Sequence, residues 1–461
     1  MRQFRCILGG ILVLAAAFTV RAQAPHAKAS AVFAIPNTPA ARVLSAWLNA
    51  CNSGDRKQLE SFYKKYHQPV TDFARMICRP KAGFDLLSII RSRPRKIEYV
   101  VAGRGSPGRA AGELDVTDTD PPYLSRNSLY LINSNAPVSA LKFQVSSAVR
   151  AHVVRAVAAK LDQLYVYPEM GKELALGIIS RWNRGQYDAV TYGFDFAQRL
   201  TSDLQASSHD KHLTVTFSPA ELPRTFRGQS AASAVRERIQ LERDNCGFKR
   251  AEWLPGNIGY LRFDGFDGPT VCRDTVAAAM GFLANADAII FDLRENHGGL
   301  PGLVTLIESY LFASPTHLDD IWDRRTGRTT QTWTLPTIRG KRLPSIPVFI
   351  LTSHRTFSGA EAFAYELQAL KRATVVGEVT GGGGHLAISE RVDSRFILNI
   401  PVARPINPVT KTDWEGTGVV PDVKVPASEA LKVAEKLAAE EVAKRQSEKE
   451  VRKNSGIHSS G

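Results

Sequence analysis

Long apolar runs, cysteine clusters and repeats are scarce in this chain of 461 residues, and each scarcity removes a class of protein. The one extended apolar run, from Cys6 to Val20, is short for a membrane span of roughly 20 residues, so a polytopic membrane protein is excluded. Five cysteines occur and none forms C-x-x-C, which leaves zinc sites and dithiol redox chemistry without support. His209-x-x-His212 offers two ligands but no helix-borne H-E-x-x-H and no third ligand beside it. The glycine run Gly381-Gly382-Gly383-Gly384 is followed by His385 rather than Lys-Ser/Thr, so it lacks the means to cradle a nucleotide phosphate and reads as a flexible loop. No metal or organic cofactor is implied, and no internal repeat is present.

What remains is the composition of a soluble globular protein: 44% hydrophobic and 23% charged residues, with a length that suggests about three domains. Residues 1–24 read as a signal peptide, with Arg2 and Arg5 ahead of the apolar run and Ala22-Gln23-Ala24 as a cleavage site near Ala24. Cys6 follows Arg5 and so lacks a lipoprotein context. The expectation is export, periplasmic or secreted. An oxidising compartment favours pairing of the four remaining cysteines, and closeness in sequence suggests Cys51 with Cys78 and Cys246 with Cys272.

The net charge of +14 is unevenly spread. Residues 25–110 hold 15 basic and five acidic residues, and Arg91-Ser92-Arg93-Pro94-Arg95-Lys96 is the densest cluster. Such a patch could contact envelope or acidic polymers; without aromatic interleaving or a nucleic-acid motif it is read as a solvated face, and no nucleic acid is expected.

Hydrophobic spacing divides the mature chain. Residues 25–137 form a basic α+β accessory domain, with helices over 40–78 broken at Asn52-Ser53-Gly54-Asp55 and strands from Lys96 to Asp115. Residues 138–222 are helical. Residues 223–427 alternate strands (Ile258–Phe263, Ala288–Leu293, Val348–Leu351, Ala373–Val376) with helices (Thr275–Ala284, Leu303–Phe312, Gly359–Lys371), which argues an α/β sheet covered by helices. Residues 428–461 are a charged helical tail.

Ser358, in Thr356-Phe357-Ser358-Gly359-Ala360-Glu361, follows a buried strand and opens a helix, where amides and the helix dipole favour negative charge. Ser-x-x-Glu is equally a capping box. Asp292-Leu293-Arg294-Glu295-Asn296-His297-Gly298-Gly299 ends another buried strand with a glycine pair able to turn amides toward a carbonyl, or simply to make a tight turn.

These two segments, with Val376-Gly377-Glu378-x-Thr380-x-Gly382 and Gly418-Val419-x-Pro421-Asp422, resemble in order the motifs of the S41 peptidases. That family includes the C-terminal-processing, tricorn-core and interphotoreceptor retinoid-binding-protein-like members. The resemblance covers about residues 140–426 and implies a crotonase/ClpP-like α/β core preceded by a helical domain. It also implies hydrolysis of peptide bonds in protein or peptide substrates.

The processing branch places a lysine base in the loop after the V-G-E strand, and here Gly383 stands in its place. The tricorn-like branch implies histidine instead. Asp210-Lys211-His212-Leu213-Thr214-Val215 is similar to the segment that carries it, so His212 is the expected base, with Leu213, Val215 and Phe217 facing the core. Glu415 matches the acidic residue of that set, Asp413 being its nearest rival. The carry-over gives the amides of Gly298 or Gly299 and of Gly359 as the oxyanion hole. His297, His354 and His385 also fall near motif positions. Only about 45 residues separate His212 from Ile258, too few for the family's PDZ module. The rival from another class is a non-catalytic binding protein for apolar ligands or peptides on the same fold.

Overall fold

The computed structural model describes residues 35–454, apart from 69, 71, 79, 81, 105–107, 133–143, 220 and 223–230. The expected signal peptide lies outside the described residues. Two compact units divide at Val138 and Ser139.

The first unit contains helices α1 (Pro39–Asn52), α2 (Arg56–Lys65) and α3 (Asp72–Ile77), then strands β1 (Phe84–Ser92), β2 (Lys96–Gly103), β3 (Arg109–Val116) and β4 (Leu124–Ile132) in one antiparallel sheet of that order. Pro39 at the first helical position and Thr38, whose hydroxyl accepts the Ala41 amide, start α1. Its buried stripe, Val43, Leu44, Trp47, Leu48 and Cys51, packs on Ile97, Tyr99 and Val101. Cys51 is disulfide-bonded to Cys78. The basic cluster is partly neutralised, since Arg91 pairs with Glu98 at 2.7 Å, Lys96 with Glu113 at 2.8 Å and Arg95 with Asp118 at 2.6 Å.

The second unit begins with α4 (Ser147–Leu164), α5 (Pro168–Asn183), α6 (Gly193–Ser208), β5 (Thr214–Phe217) and α7 (Ala231–Arg243). Next come β6 (Phe248–Leu254), β7 (Ile258–Phe263), α8 (Arg273–Phe282), β8 (Ala288–Asp292), α9 (Pro301–Glu308), β9 (His317–Asp323), β10 (Arg328–Trp333) and β11 (Val348–Thr352). It ends with α10 (Gly359–Ala369), β12 (Thr374–Gly377), β13 (Leu386–Arg391), β14 (Phe396–Ile406), β15 (Val423–Lys424) and α11 (Ala430–Asn454). One sheet runs β15-β12-β11-β8-β7-β6 and is parallel except for β6 against β7. The other runs β10-β9-β14-β13 and is antiparallel, with β5 also paired to β14. This is an α/β fold preceded by a helical region.

The parallel strands are buried on both faces, as the near-continuous apolar runs require. Ile289, Phe291, Ile350 and Val375 face the core shared with α8, α9 and α10. Ala288, Ile290, Phe349, Leu351 and Val376 face α11, which presents Ala430, Ala434, Ala438 and Val442 at every fourth residue. The first half of the charged tail is therefore a structural layer. Cys246 and Cys272 form the second disulfide. Among the described residues, a single helix and a short turn separate β5 from β6, and no helix is long and apolar enough to cross a membrane.

Candidate active site

The polar turns at the carboxyl ends of β8 and β11 build the site, and the residues of each turn hold it. Asp292 accepts from the Tyr260 hydroxyl at 2.6 Å and from Arg294 at 2.6 and 2.8 Å, while Arg294 also donates to the Ala427 carbonyl. Burial raises the Asp292 pKa, but its bonds to Arg294 outweigh that and leave it below the ordinary carboxylate value. Asn296 donates to the Phe263 carbonyl, and its side-chain oxygen accepts the Gly298 amide at 2.8 Å. Gly298 has φ +89°, and a Cβ there would lie 2.6 Å from the Gly359 amide nitrogen and 2.8 Å from Ser358 Cβ. Only glycine lets the two turns approach so closely.

Ser358 sits between β11 and α10 with φ 52° and ψ −120°. A non-glycine residue there is strained, and the strain lifts the hydroxyl out of the path of the chain. Glu361, fully buried, holds the turn. Its carboxylate accepts the Ser358 amide at 2.8 Å, the Gly382 amide at 2.6 Å, the Gly383 amide at 2.8 Å and the Thr380 hydroxyl. The Glu361 half of the capping box is thus present and reaches beyond it to the glycine loop.

That loop is not the flexible segment its composition suggests. Besides the bonds to Glu361, the Gly384 amide donates to Glu415, the Gly383 carbonyl accepts from Trp414 Nε1 at 2.9 Å and the Gly381 carbonyl accepts from Lys211. Gly383 is needed sterically, because a Cβ there would lie 2.3 Å from Phe357 Cζ and 2.8 Å from His212 Cε1. A lysine in the loop and a histidine at 212 compete for the same space. Arg372, beyond the far end of α10, spends its guanidinium on the Leu311, Leu343 and Ile346 carbonyls.

His212 precedes β5, whose Val215 and Phe217 are buried with Leu213 as alternation demands. Its ring lies 4.9 Å from that of Phe357, and its Nδ1 is buried without a partner. Burial, outweighing the pull of Asp210, places its pKa below the ordinary histidine value. Ser358 and His212 line one cavity of about 410 Å³ together with Gly299, Gly359, Gly384, His385 and Trp414. No hydrogen bond joins Ser358 to His212.

Glu415 Oε2 accepts the Gly384 amide at 2.6 Å and the His385 amide at 3.0 Å, while Oε1 is buried and unpartnered. Burial pushes its pKa up to about 7, against the opposing pull of His385. Asp413 accepts the Glu415 amide at 2.9 Å and so supports the loop rather than competing for the role. Among the described residues the Gly299 and Gly359 amides have no protein acceptor, whereas that of Gly298 is committed to Asn296. The available pair is therefore Gly299 with Gly359.

Two members of the cluster had no role assigned from sequence. His385, 3% exposed, lies 2.7 Å from buried Asp210 through Nδ1 and 3.5 Å from Glu415, with Nε2 unpartnered. Burial pulls its pKa down, but the bond to Asp210 and the charge of Glu415 overcome this and leave it raised. Asp210 also accepts the His212 amide at 2.9 Å and the Tyr165 hydroxyl at 3.1 Å. Its place directly before Lys211-His212 is the one signal that could have found it. His297 and His354 are exposed and outside the cavity lining, and His209 caps α6 in the left-handed region.

Asp210, His212 and Glu415 each bring one ligand atom within 4.8 Å of the others, the only residues here that could hold a metal among those described. Most of their oxygens already accept hydrogen bonds. His212 and one oxygen of Glu415 are left to ligate, short of the three or four ligands zinc requires.

Residues 257–425 match the model of peptidase family S41, and residues 140–242 match the N-terminal domain of peptidase S41 in eukaryotic IRBP; together they span more than half of the chain. The chain belongs to peptidase family S41. This S41 chain is 28% identical over 191 residues to the chloroplastic carboxyl-terminal-processing peptidase 2 of Arabidopsis thaliana, covering 38% of itself and 34% of that protein. It spans about a third of the length of the curated relatives it matches. Among solved structures, mature CPAF aligns with TM-score 0.45 and 13% identity over 64% of the S41 chain and 97% of CPAF. The photosystem II D1 C-terminal processing protease aligns with TM-score 0.39 and 16% identity, over 61% and 94% of the respective chains.

Proposed function

We propose that this protein is an exported serine peptidase that hydrolyses peptide bonds through an acyl-enzyme on Ser358. The observation that carries the reading is the shared cavity, in which a hydroxyl on a strained turn, a half-buried imidazole with a depressed pKa and two free amides converge. Ser358 Oγ attacks the scissile carbonyl while His212, neutral at pH 7, takes the hydroxyl proton. The negative charge that develops on the carbonyl oxygen is met by the Gly299 and Gly359 amides. His212 then gives its proton to the leaving amine, and water repeats the sequence to release the acid.

His212 Nδ1 and Glu415 Oε1 are both buried and partnerless, complement each other as donor and acceptor, and belong to side chains whose ligand atoms lie within 4.8 Å of one another. A small closing motion would join them, fixing the imidazole with its other nitrogen toward Ser358. The Gly384 and His385 amides hold that carboxylate from behind, and Asp210 holds the His385 ring beside it. Two disulfides agree with export.

The test is labelling by a fluorophosphonate probe with peptide hydrolysis measured alongside. The expected outcome is one modified residue, Ser358, and loss of both labelling and turnover in Ser358→Ala with an unchanged circular dichroism spectrum. Turnover that survives in Ser358→Ala refutes the mechanism, and a folded protein that neither labels nor cleaves favours a binding role on this fold.

A further inference from the structure

The cavity beside Ser358 continues along one face of α10, where Gly359, Ala362 and Glu366 follow at helical spacing. Its walls are mostly apolar, yet two carboxyls, Glu366 and Asp319, stand in the lining. Against them lies Glu308 of α9, completely buried, whose carboxyl finds no side-chain partner but that of Glu366 among the described residues. Glu366 is 5% exposed and meets only the carboxyls of Glu308 and Asp319. Asp319 receives one long bond, 3.4 Å, from Asn407. Among the described residues no lysine or arginine pairs with any of the three.

Burying three carboxyls with no counter-charge is costly. Burial, against the bond to Glu366, holds Glu308 well above the ordinary value; burial and the charges of Glu308 and Asp319 do the same for Glu366; and burial sets Asp319 at about 6 against its bonds to Glu366 and Asn407. An apolar core would be served better by leucine or glutamine here, and the arrangement makes sense when a guest supplies the missing positive charge. A divalent ion is not that guest, because among the described residues the only trio with ligand atoms inside 4.8 Å is Asp210, His212 and Glu415.

We propose that this pocket receives the side chain of a lysine or arginine, the substrate residue whose carbonyl Ser358 attacks, and that Glu366 is the specificity-determining contact. The inference rests on the peptidase reading above. Eight residues of helix separate Ser358 from Glu366, about 12 Å along the axis, and side chains lean back toward the helix start. Bond lengths give a lysine or arginine side chain a reach of about 6–7 Å, which spans what remains. Val304, Ile321 and Leu386 of the lining suit the aliphatic stem, and the carboxyls suit its charged head.

The experiment compares fluorogenic peptides that differ only before the scissile bond, with lysine, arginine, norleucine or glutamate, in the full-length wild type and in Glu366→Gln. The expected result is kcat/KM about 100-fold higher for lysine or arginine than for norleucine, with that ratio falling at least tenfold in the variant. Norleucine turned over as well as lysine, or a ratio untouched by the substitution, overturns the assignment. Should Glu366→Gln fail to fold, Asp319→Asn carries the same comparison. Benzamidine binding by calorimetry separates the two readings. If no peptide is cleaved and Ser358 does not label, the peptidase reading fails; benzamidine held by the wild type and lost by the variant then still supports a cationic pocket, and absence of binding overturns it.

Discussion

At the scale of single residues, the candidate site was legible wherever local sequence makes a residue's position unusual. Ser358 is marked by its strand-to-helix turn, whereas His212 and the missing lysine at Gly383 are read from likeness to the family's motifs, the alternating Leu213, Val215 and Phe217 adding only which side of the strand His212 takes. Asp210, His385, Glu366 and Asp319 were not legible as site residues, because their significance lies in partners 40 or more residues away that only folding supplies. Two predictions belong here. Gly383→Ala places a methyl against Phe357 and His212, so kcat should fall about 100-fold through displacement of the imidazole by about 1 Å, with KM little changed. An undiminished kcat would show that the loop does not set the position of His212. The pH dependence of kcat/KM should lose activity as Glu415 takes up a proton, through about pH 7, and again at lower pH as His212 protonates below the ordinary histidine value. In Glu415→Gln the upper limb should vanish and the lower persist, on a rate reduced about 100-fold. A profile identical to wild type would remove Glu415 from the orienting role.

At the scale of elements, strands buried on both faces announced themselves by apolar runs, and β7, β8, β11 and β12 lie where those runs are. The antiparallel sheet did not. His317–Asp323 buries only Leu318 and Asp319, Arg328–Trp333 is almost wholly exposed, both are mostly polar, and neither period two nor an apolar run marks them. In the first unit β1 and β4, on either side of the strands read from Lys96 to Asp115, went unmarked; Leu86-Leu87 and Ile89-Ile90 of β1 break the period-two alternation that would have signalled a strand. Yet β9 contributes Asp319 and Ile321 to the cavity, so the unreadable sheet supplies one of its walls. The short 3₁₀ turn and the start of α8 are likewise held by Cys246–Cys272, which closes a loop spanning 26 residues. Replacing both cysteines by serine should lower stability by about 3–4 kcal/mol in the chain-entropy view, measured by urea unfolding of the oxidised protein against the variant. A difference below about 1 kcal/mol would mean that the hydrophobic core around Phe263 and Phe266 fixes this region unaided.

At the scale of the whole molecule, summed charge proved a poor guide to where charge acts. The basic excess of residues 25–110 is partly spent on Glu98, Glu113 and Asp118, whereas the carboxyls that bear on the proposed function are buried without a cation in the second unit, although the net charge of that unit is +4. That cluster should make stability fall with rising pH. Glu308, Asp319 and Glu366 bind protons more tightly when folded than when unfolded, so the stability they allow is complete below the unfolded values of about 4. It declines as pH rises through the folded values, about 6 for Asp319 and higher than ordinary for the glutamates, and then levels off. Thermal unfolding between pH 5 and pH 8 should show a drop in Tm that is smaller in Glu366→Gln, with the variant the more stable protein at pH 8 by a few degrees. Saturating benzamidine should return much of the lost Tm to the wild type at pH 8 and leave the variant unmoved, since only a counter-charge held beside Glu366 can offset its ionisation. Parallel pH curves for the two proteins would mean that the three carboxyls are solvated after all, and both the stability argument and the cationic pocket would go with them.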